Sequence, residues 1–347
     1  MSHKVEDLIN KHNFTDPIKD ISGFENQELK SLLDSMLMIR LCEEKLAVEK
    51  EKGNIIGPVH LGAGQEAIAC GLAFNLRKSD RIFGAHRSHS HILSLETNLR
   101  SFFAEILGRK TGLSRGMGGS MHLWDKPNGF YGSVPIVAGT VPIALGAGLA
   151  AKFDELGDLA IAYMGDSAVE EGVFHESLNL ASLLKIPIIF VVENNMFGSH
   201  MHISQRQPLY SAARFAVANG IESRVVDGNN IIEVINTSKE LINNARNKNQ
   251  PGFIEAFTYR WYGHVDWRED IDVGVNRSKE DLLSWKERDP IKRLKESMIN
   301  KNIIDLNDFK ISQELIFDQI EKSWNLAIED PYPEASKLTE YVYRSNK

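Results

Sequence analysis

LAIAYMGDSAVEEGVFHESLNLASLLKIPIIFVVENN, residues 159–195, decides how this chain folds. Its first six residues (159–164) are apolar throughout, the pattern of a strand buried on both faces. Residues 172–184, GVFHESLNLASLL, space their apolar side chains at helical intervals. Residues 186–192, IPIIFVV, form a second apolar strand. Strand, helix and strand make one crossover unit, and a right-handed crossover leaves the two strands parallel. Asp166 follows the first strand and Asn194-Asn195 follows the second. Both therefore lie on one edge of the sheet, the edge where open α/β sheets bind ligands.

The pattern continues on either side. Residues 27–52 place Leu29, Leu32, Leu33, Met36 and Leu37 at helical spacing, with Gly53 as a stop. GPVHLGAGQEAIACGLAFNL (57–76) reads as a loop and a helix, and DRIFGAHRSHSH (80–91) as a short strand and a loop. Residues 108–135 are rich in glycine and have no period. Their Met, Trp, Phe and Tyr residues favour a long ordered loop of functional use. Residues 141–153, VPIALGAGLAAKF, read as an almost wholly apolar helix, and Gly146 and Gly148 would let another surface approach it closely. Further strands are expected at 223–226 and 253–259, with a helix at 231–246 between them and a charged, mostly helical tail from 279. There is no internal repeat and no flexible linker. The expected fold class is α/β, a doubly wound, mostly parallel sheet with helices on both faces and extra N- and C-terminal helices. Residues 1–26 would form a loose arm and 27–347 one domain.

Composition agrees with a large globular core: 347 residues, 42% hydrophobic, 25% charged, net charge −7. The two cysteines, Cys42 and Cys70, suit buried thiols in a reducing compartment and carry no metal signature. Mild acidity argues against general nucleic-acid binding. The N-terminal MSHKVEDLINKHNF lacks an apolar stretch, and no segment reaches the roughly 18 apolar residues of a membrane helix. A cytoplasmic location is the expectation.

One carboxylate (Asp166), one amide oxygen (Asn195) and nearby carbonyls are hard oxygen ligands suited to magnesium, which takes its remaining ligands from phosphates and water. The helix after Asp166 adds an N-terminal dipole that favours anions. The pair therefore points to a magnesium-bridged diphosphate. The same residues also read as a helix cap and a turn.

GDSAVEEG (165–172) followed by ENN (193–195) resembles the thiamine diphosphate motif, Gly-Asp-Gly, a βαβ-length spacer and Asn-Asn. Ser167 stands in the motif's third position. HLGAGQEA (60–67), HRSHSH (86–91), GRKTGLSRGMGGSMHL (108–123) and YRWYGH (259–264) extend the resemblance, in collinear order, to the alpha subunits of pyruvate, acetoin and branched-chain 2-oxo acid dehydrogenases. In this sequence Ser90 replaces the glycine usual after the HRSH run, and Pro135 stands where many relatives have glycine.

The resemblance implies roles. Asp166 and Asn195 would bind magnesium through side chains and Phe197 through its carbonyl. His86 and Arg87 would contact the diphosphate, and Gly165 and Ser167 would offer it backbone groups. Pro135 and Val137 would line the aminopyrimidine. His60, His89 and His264 would stand around the diphosphate and reaction centre. The reaction implied is attack of the cofactor's ylid on a 2-oxo acid, loss of carbon dioxide, and oxidative transfer of the acyl group to a lipoyl arm. Acetoin cleavage, or carbon–carbon bond formation by a two-component transferase, are the other activities considered. The family's activating glutamate belongs to a beta subunit, and none of Glu66, Glu96, Glu170, Glu171 or Glu193 has a context that would replace it. The implied assembly is a heterotetramer of two alpha and two beta subunits, with a lipoyl acyltransferase as a further partner.

Other patterns read blandly. GAGQEA (62–67) with Asp80 fits half of a dinucleotide fingerprint, a short pattern common by chance. Strand alternation would put only His89 and His91 of the 86–91 histidines on one face, and no cysteine or spaced carboxylate joins them for zinc. His175-Glu176 lacks a second histidine at zincin spacing, and His122 reads as a loop residue. Arg77, Lys78 and Arg81 form an ordinary solvated patch.

Overall fold

A computed structural model describes residues 3–10, 13–269 and 277–340. Six strands make the central sheet: β1 (Arg81–Gly84), β2 (Phe130–Ser133), β3 (Ala160–Gly165), β4 (Ile188–Asn194), β7 (Glu222–Asp227) and β8 (Gly252–Phe257). Two-residue strands β5 (Phe197–Gly198) and β6 (Met201–His202) form a separate hairpin. The sheet order is β2-β1-β3-β4-β8-β7, and every neighbouring pair is parallel. β1 has β2 on one side and β3 on the other, so the winding reverses direction there. Such a switch point opens a crevice at the strands' carboxyl ends.

β4 and β8 are buried along their whole length, the reason IIFVV and the residues around FIEAF read as continuous apolar runs. α6 (Val141–Asp154) packs on β1 and β3, and α9 (Ile231–Lys248) on β7 and β8. Asn230 caps α9 by accepting from Glu233 N. α2 (Asn26–Glu51) starts in a capping box between Glu25 and Glu28 and buries the five residues that announced it. The other helices are α1 (Val5–Ile9), α3 (Glu66–Ala73), α4 (His89–Leu93), α5 (Leu99–Ile106), α7 (Gly172–Leu184), α8 (Ala213–Ala218), α10 (Lys279–Glu287), α11 (Pro290–Asn300) and α12 (Leu306–Glu329). No helix among the described residues is long and apolar enough to cross a membrane. Cys42 and Cys70 are buried free thiols, as expected.

Several local expectations change. The arm is docked rather than loose: Leu8 is fully buried, its carbonyl accepts from Arg288 Nη1 at 2.6 Å, and Ile18 and Ile21 enter the core. These apolar anchors are too scattered to show a period, and residues 1–2 and 11–12 lie outside the described ones. The 80–91 segment ends in helix α4, not in a loop, so a strand-face argument does not apply to its histidines. Residues 108–135 contain β2, whose four residues, FYGS, are too short a run and end in glycine and serine, so they do not signal a strand. The preceding turns are organised by Glu105, whose carboxylate accepts from the backbone N–H groups of Ser114, Gly116, Gly118 and Gly119. Gly148 serves packing within this chain: a Cβ there would meet Ile186 Cγ2 at 2.9 Å. A 3-10 turn, Ala168–Glu170, stands between Asp166 and α7, so the longer helix's dipole does not begin at the aspartate. The expected tail runs through α10, α11 and α12, and its residues 341–347 lie outside the described ones.

Candidate active site

The crevice beyond β1, β3 and β4 holds a cavity of about 40 Å³. Each strand feeds one short segment into it: His86 and Arg87 after β1, Asp166 and Ser167 after β3, Asn195 and Phe197 after β4. Gly165 and His264 complete the expected residues that line it, and Gln65, Glu193 and Ser199 join them. Asp166 and Asn195, far apart in sequence, thus face one small space.

Asp166 is 1% exposed, and burial raises its carboxyl above the ordinary carboxylate range against the pull of Arg206. Its Oδ2 is ion-paired with Arg206 Nη2, and Arg206 Nη1 pairs with Glu170. Asn195 is aimed by two contacts: its Oδ1 accepts from Phe197 N at 3.2 Å, and its Nδ2 reaches Gln65 Oε1 at 3.4 Å. Ser167 adopts an ordinary helical conformation, φ −79°, so the motif's serine costs no backbone strain. It does demand a glycine opposite: a Cβ on Gly198 would lie 2.7 Å from Ser167 Cβ.

The cationic side is built around Arg87, 8% exposed. Its Nη1 donates to Leu61 O at 2.5 Å, and its Nη2 lies 3.2 Å from His264 O and 3.3 Å from His264 Nδ1. His60, His86 and His264 meet edge to face, with ring centres 4.6, 5.0 and 5.3 Å apart. Burial first, and then the Arg87 charge, lowers the pKa of His60 to about 2 and of His86 to about 3, and depresses His264 as well. All three imidazoles are therefore neutral near pH 7. Their ring nitrogens lie within 4.8 Å of one another, as metal ligands could. The adjacent guanidinium makes the neighbourhood one for an anion. His60 Nδ1 is buried and has no hydrogen-bond partner among the described residues.

Residues 34–336 match the family described as "Dehydrogenase E1 component". The chain is 35% identical to the alpha subunit of acetoin:2,6-dichlorophenolindophenol oxidoreductase from Bacillus subtilis, covering 93% of this chain and 96% of that one. It is 33% identical to the pyruvate dehydrogenase E1 component subunit alpha of Porphyra purpurea, over 92% and 94% of the two chains. Its identity to the Rickettsia prowazekii subunit of that name is 32%, over 94% and 97%. The chain belongs to the dehydrogenase E1 component family.

The resemblance read from the motifs is thereby shown: this is an alpha chain of the thiamine diphosphate-dependent 2-oxo acid dehydrogenases, an oxidoreductase component. The family implies a beta subunit and a small-molecule substrate.

Four of the expected residues of this E1 alpha chain do not line the cavity. His60 stands behind it, in ring contact with His86 and His264. Val137 is 42% exposed, and Pro135 is part-buried. Their segment is tied to the end of β1 by Thr140 Oγ1, which donates to Gly84 O at 2.9 Å. His89 is enclosed one layer away, its Nδ1 3.1 Å from Glu43 Oε2 and its Nε2 2.8 Å from Ser120 Oγ.

Of the five glutamates without an activating context, three are engaged elsewhere and two are exposed. Glu66 is fully buried and holds Arg40 at 2.6 and 3.0 Å. Glu193 faces His91 Nε2 at 3.1 Å, and Glu170 pairs with Arg206. Glu96 and Glu171 are exposed. His122 is exposed and its Nδ1 lies 3.0 Å from Gly118 O, as a loop residue should. Asp80 pairs with Arg246 at 2.5 Å and accepts from Leu159 N.

Sequence reasoning missed Arg206, Gln65 and Arg260. Arg260 is fully buried and its Nη2 donates to Ser199 O at 2.9 Å, beside the cavity. Gln65 and Arg260 lie inside quoted motifs and could have been singled out as polar residues in apolar surroundings. Arg206 follows a loop without period, and no sequence signal marks it.

Proposed function

We propose that this chain binds thiamine diphosphate through a magnesium ion held by Asp166 Oδ, Asn195 Oδ1 and the Phe197 carbonyl. In this reading it is the alpha half of an enzyme that decarboxylates a 2-oxo acid oxidatively and passes the acyl group to a lipoyl arm. The observation that carries the reading is the shared cavity of Asp166 and Asn195, flanked by His86 and Arg87. A buried carboxylate, an amide oxygen and carbonyls are a donor set for a hard cation. A cavity of about 40 Å³ suits an ion and its water more than a whole cofactor. The remainder of the ligand would extend toward the exposed Ile136–Val137 surface, where a beta subunit would close the site.

When bound, thiamine diphosphate supplies the carbon nucleophile that attacks the substrate carbonyl. This chain's residues do the rest of the holding. Arg87 neutralises and orients the diphosphate, and the neutral His86 ring adds a hydrogen bond to it. Gly165 and Ser167 offer backbone groups to it, and Pro135 and Val137 support the aminopyrimidine. His264, backed by His60, is held neutral and presents its ring as a hydrogen-bonding group near the reacting atoms. His89, locked between Glu43 and Ser120, fixes the turn that carries Arg87.

Acetoin is the second substrate reading, favoured by the 35% identity to the Bacillus subtilis acetoin oxidoreductase subunit. The test is co-expression with a beta subunit and turnover of pyruvate, branched 2-oxo acids and acetoin, with a lipoyl domain and a dye as alternative acceptors. Acyl transfer to the lipoyl domain supports the first reading. Dye reduction with acetoin alone supports the second, and no turnover of any substrate overturns both.

A further inference from the structure

Resting on the magnesium reading, we propose that Arg206 is a built-in competitor for the cation, occupying the Asp166 carboxylate until the metal displaces it. Arg206 is 93% buried by its side chain and spans two carboxylates, Asp166 through Nη2 and Glu170 through Nη1. Magnesium needs a bare carboxylate oxygen at roughly 2.0–2.1 Å, and a guanidinium on Oδ2 fills one of the two available. A buried carboxylate without a counter-charge is costly, so an internal cation stabilises the metal-free site.

The same arginine is coupled to the loop that carries the third expected ligand. Its Nε donates to Met201 O at 3.1 Å, and a Cβ on Gly198 would lie 3.1 Å from its Cζ, so the guanidinium sits directly beneath the β5–β6 hairpin. Phe197 begins that hairpin. Glu170, 34% exposed, offers Arg206 an anchor that survives loss of Asp166. Cation entry would therefore swing Arg206 toward Glu170 and release the hairpin from below, linking metal loading to placement of the Phe197 carbonyl.

The alternative is that Arg206 only braces the hairpin, and the two roles give opposite signs. The full chain assembled with its beta subunit is titrated with Mn2+, first alone and then with thiamine diphosphate, and free ion is counted by electron paramagnetic resonance. Competition gives tighter Mn2+ binding in the order Arg206→Gln, Arg206→Lys, unaltered protein, with about tenfold between the extremes if the displaced state is about a tenth populated. The order persists at about 0.5 M salt, where longer-range charge effects are screened, and Arg224→Gln, which removes a β7 arginine paired with Glu222 and Glu240 outside the cavity, leaves the affinity within about twofold. Equal or weaker binding in Arg206→Gln and Arg206→Lys, with unchanged thermal unfolding, overturns the proposal while leaving the magnesium reading standing. Absence of Mn2+ binding in every protein, with or without thiamine diphosphate, overturns the magnesium reading and this proposal together.

Discussion

Gly165 of β3 and Glu193 of β4 stand opposite each other as the last register partners of two parallel strands, so that Asp166 leaves the sheet level with Asn194, and Asn195 follows one residue further on at the same edge. Register brings the two strand ends together, the turn after β4 aims Asn195 into the cavity with Asp166, and the switch between β1 and β3 adds Arg87 from the third strand end.

Arg87 holds Leu61 O and reaches His264 while facing the cavity. Arg87→Ala should weaken thiamine diphosphate binding about a hundredfold, and Arg87→Lys about tenfold, because lysine keeps the charge and loses the planar fork. Titration by tryptophan quenching in the assembled pair checks this, and equal affinity across the three proteins would count against a diphosphate at Arg87.

Buried His60 and half-buried His86 and His264 make stability depend on acid. Unfolded, each takes up a proton near pH 6.5, whereas folded His60 and His86 resist protonation down to about 2 and 3. The unfolded chain binds more protons in that window, so stability falls as pH drops below about 6.5, by up to about 1.4 kcal/mol per unit for each group. Urea unfolding at pH 7.5 and 5 should reveal the loss. A His60→Gln, His86→Gln double variant should flatten it, and an unchanged slope would contradict the neutral cluster.

Glu105 gathers four backbone N–H groups of the glycine-rich segment. Glu105→Ala leaves them without their acceptor and should cost about 2–4 kcal/mol. Trypsin should then cut within residues 109–115 of the otherwise folded protein. Resistance equal to that of the unaltered chain would mean that the turns hold without the carboxylate.

Gly64 has φ +97°, and a Cβ there would come within 2.6 Å of the Tyr259 carbonyl and 2.5 Å of Trp261 Cδ1. Gly64→Ala should destabilise by about 2–4 kcal/mol and shift the segment carrying Arg260 and His264. Melting and tryptophan fluorescence report both effects, and an unshifted melting point would deny the close approach.

The sheet was legible because its central strands are buried on both faces and spell uninterrupted apolar runs, as IIFVV does. β2 was not, since FYGS is only four residues long, and the bridge between Asp125 and Phe130 and pairing with β1 set its place. The site residues at the ends of β1, β3 and β4 were legible because they follow strands directly. Arg206 was not, because only the fold brings position 206 back to Asp166. His89 carried a motif into view without revealing that Glu43 and Ser120 close both of its ring nitrogens.

Isothermal titration of thiamine diphosphate with Mg2+ into the assembled alpha–beta pair tests the central claim most directly, comparing the unaltered chain with Asp166→Asn. The account expects one cofactor per alpha chain and at least about a hundredfold weaker binding for Asp166→Asn, with folding preserved. Binding by Asp166→Asn as tight as that of the unaltered chain, or none by either protein, would contradict it.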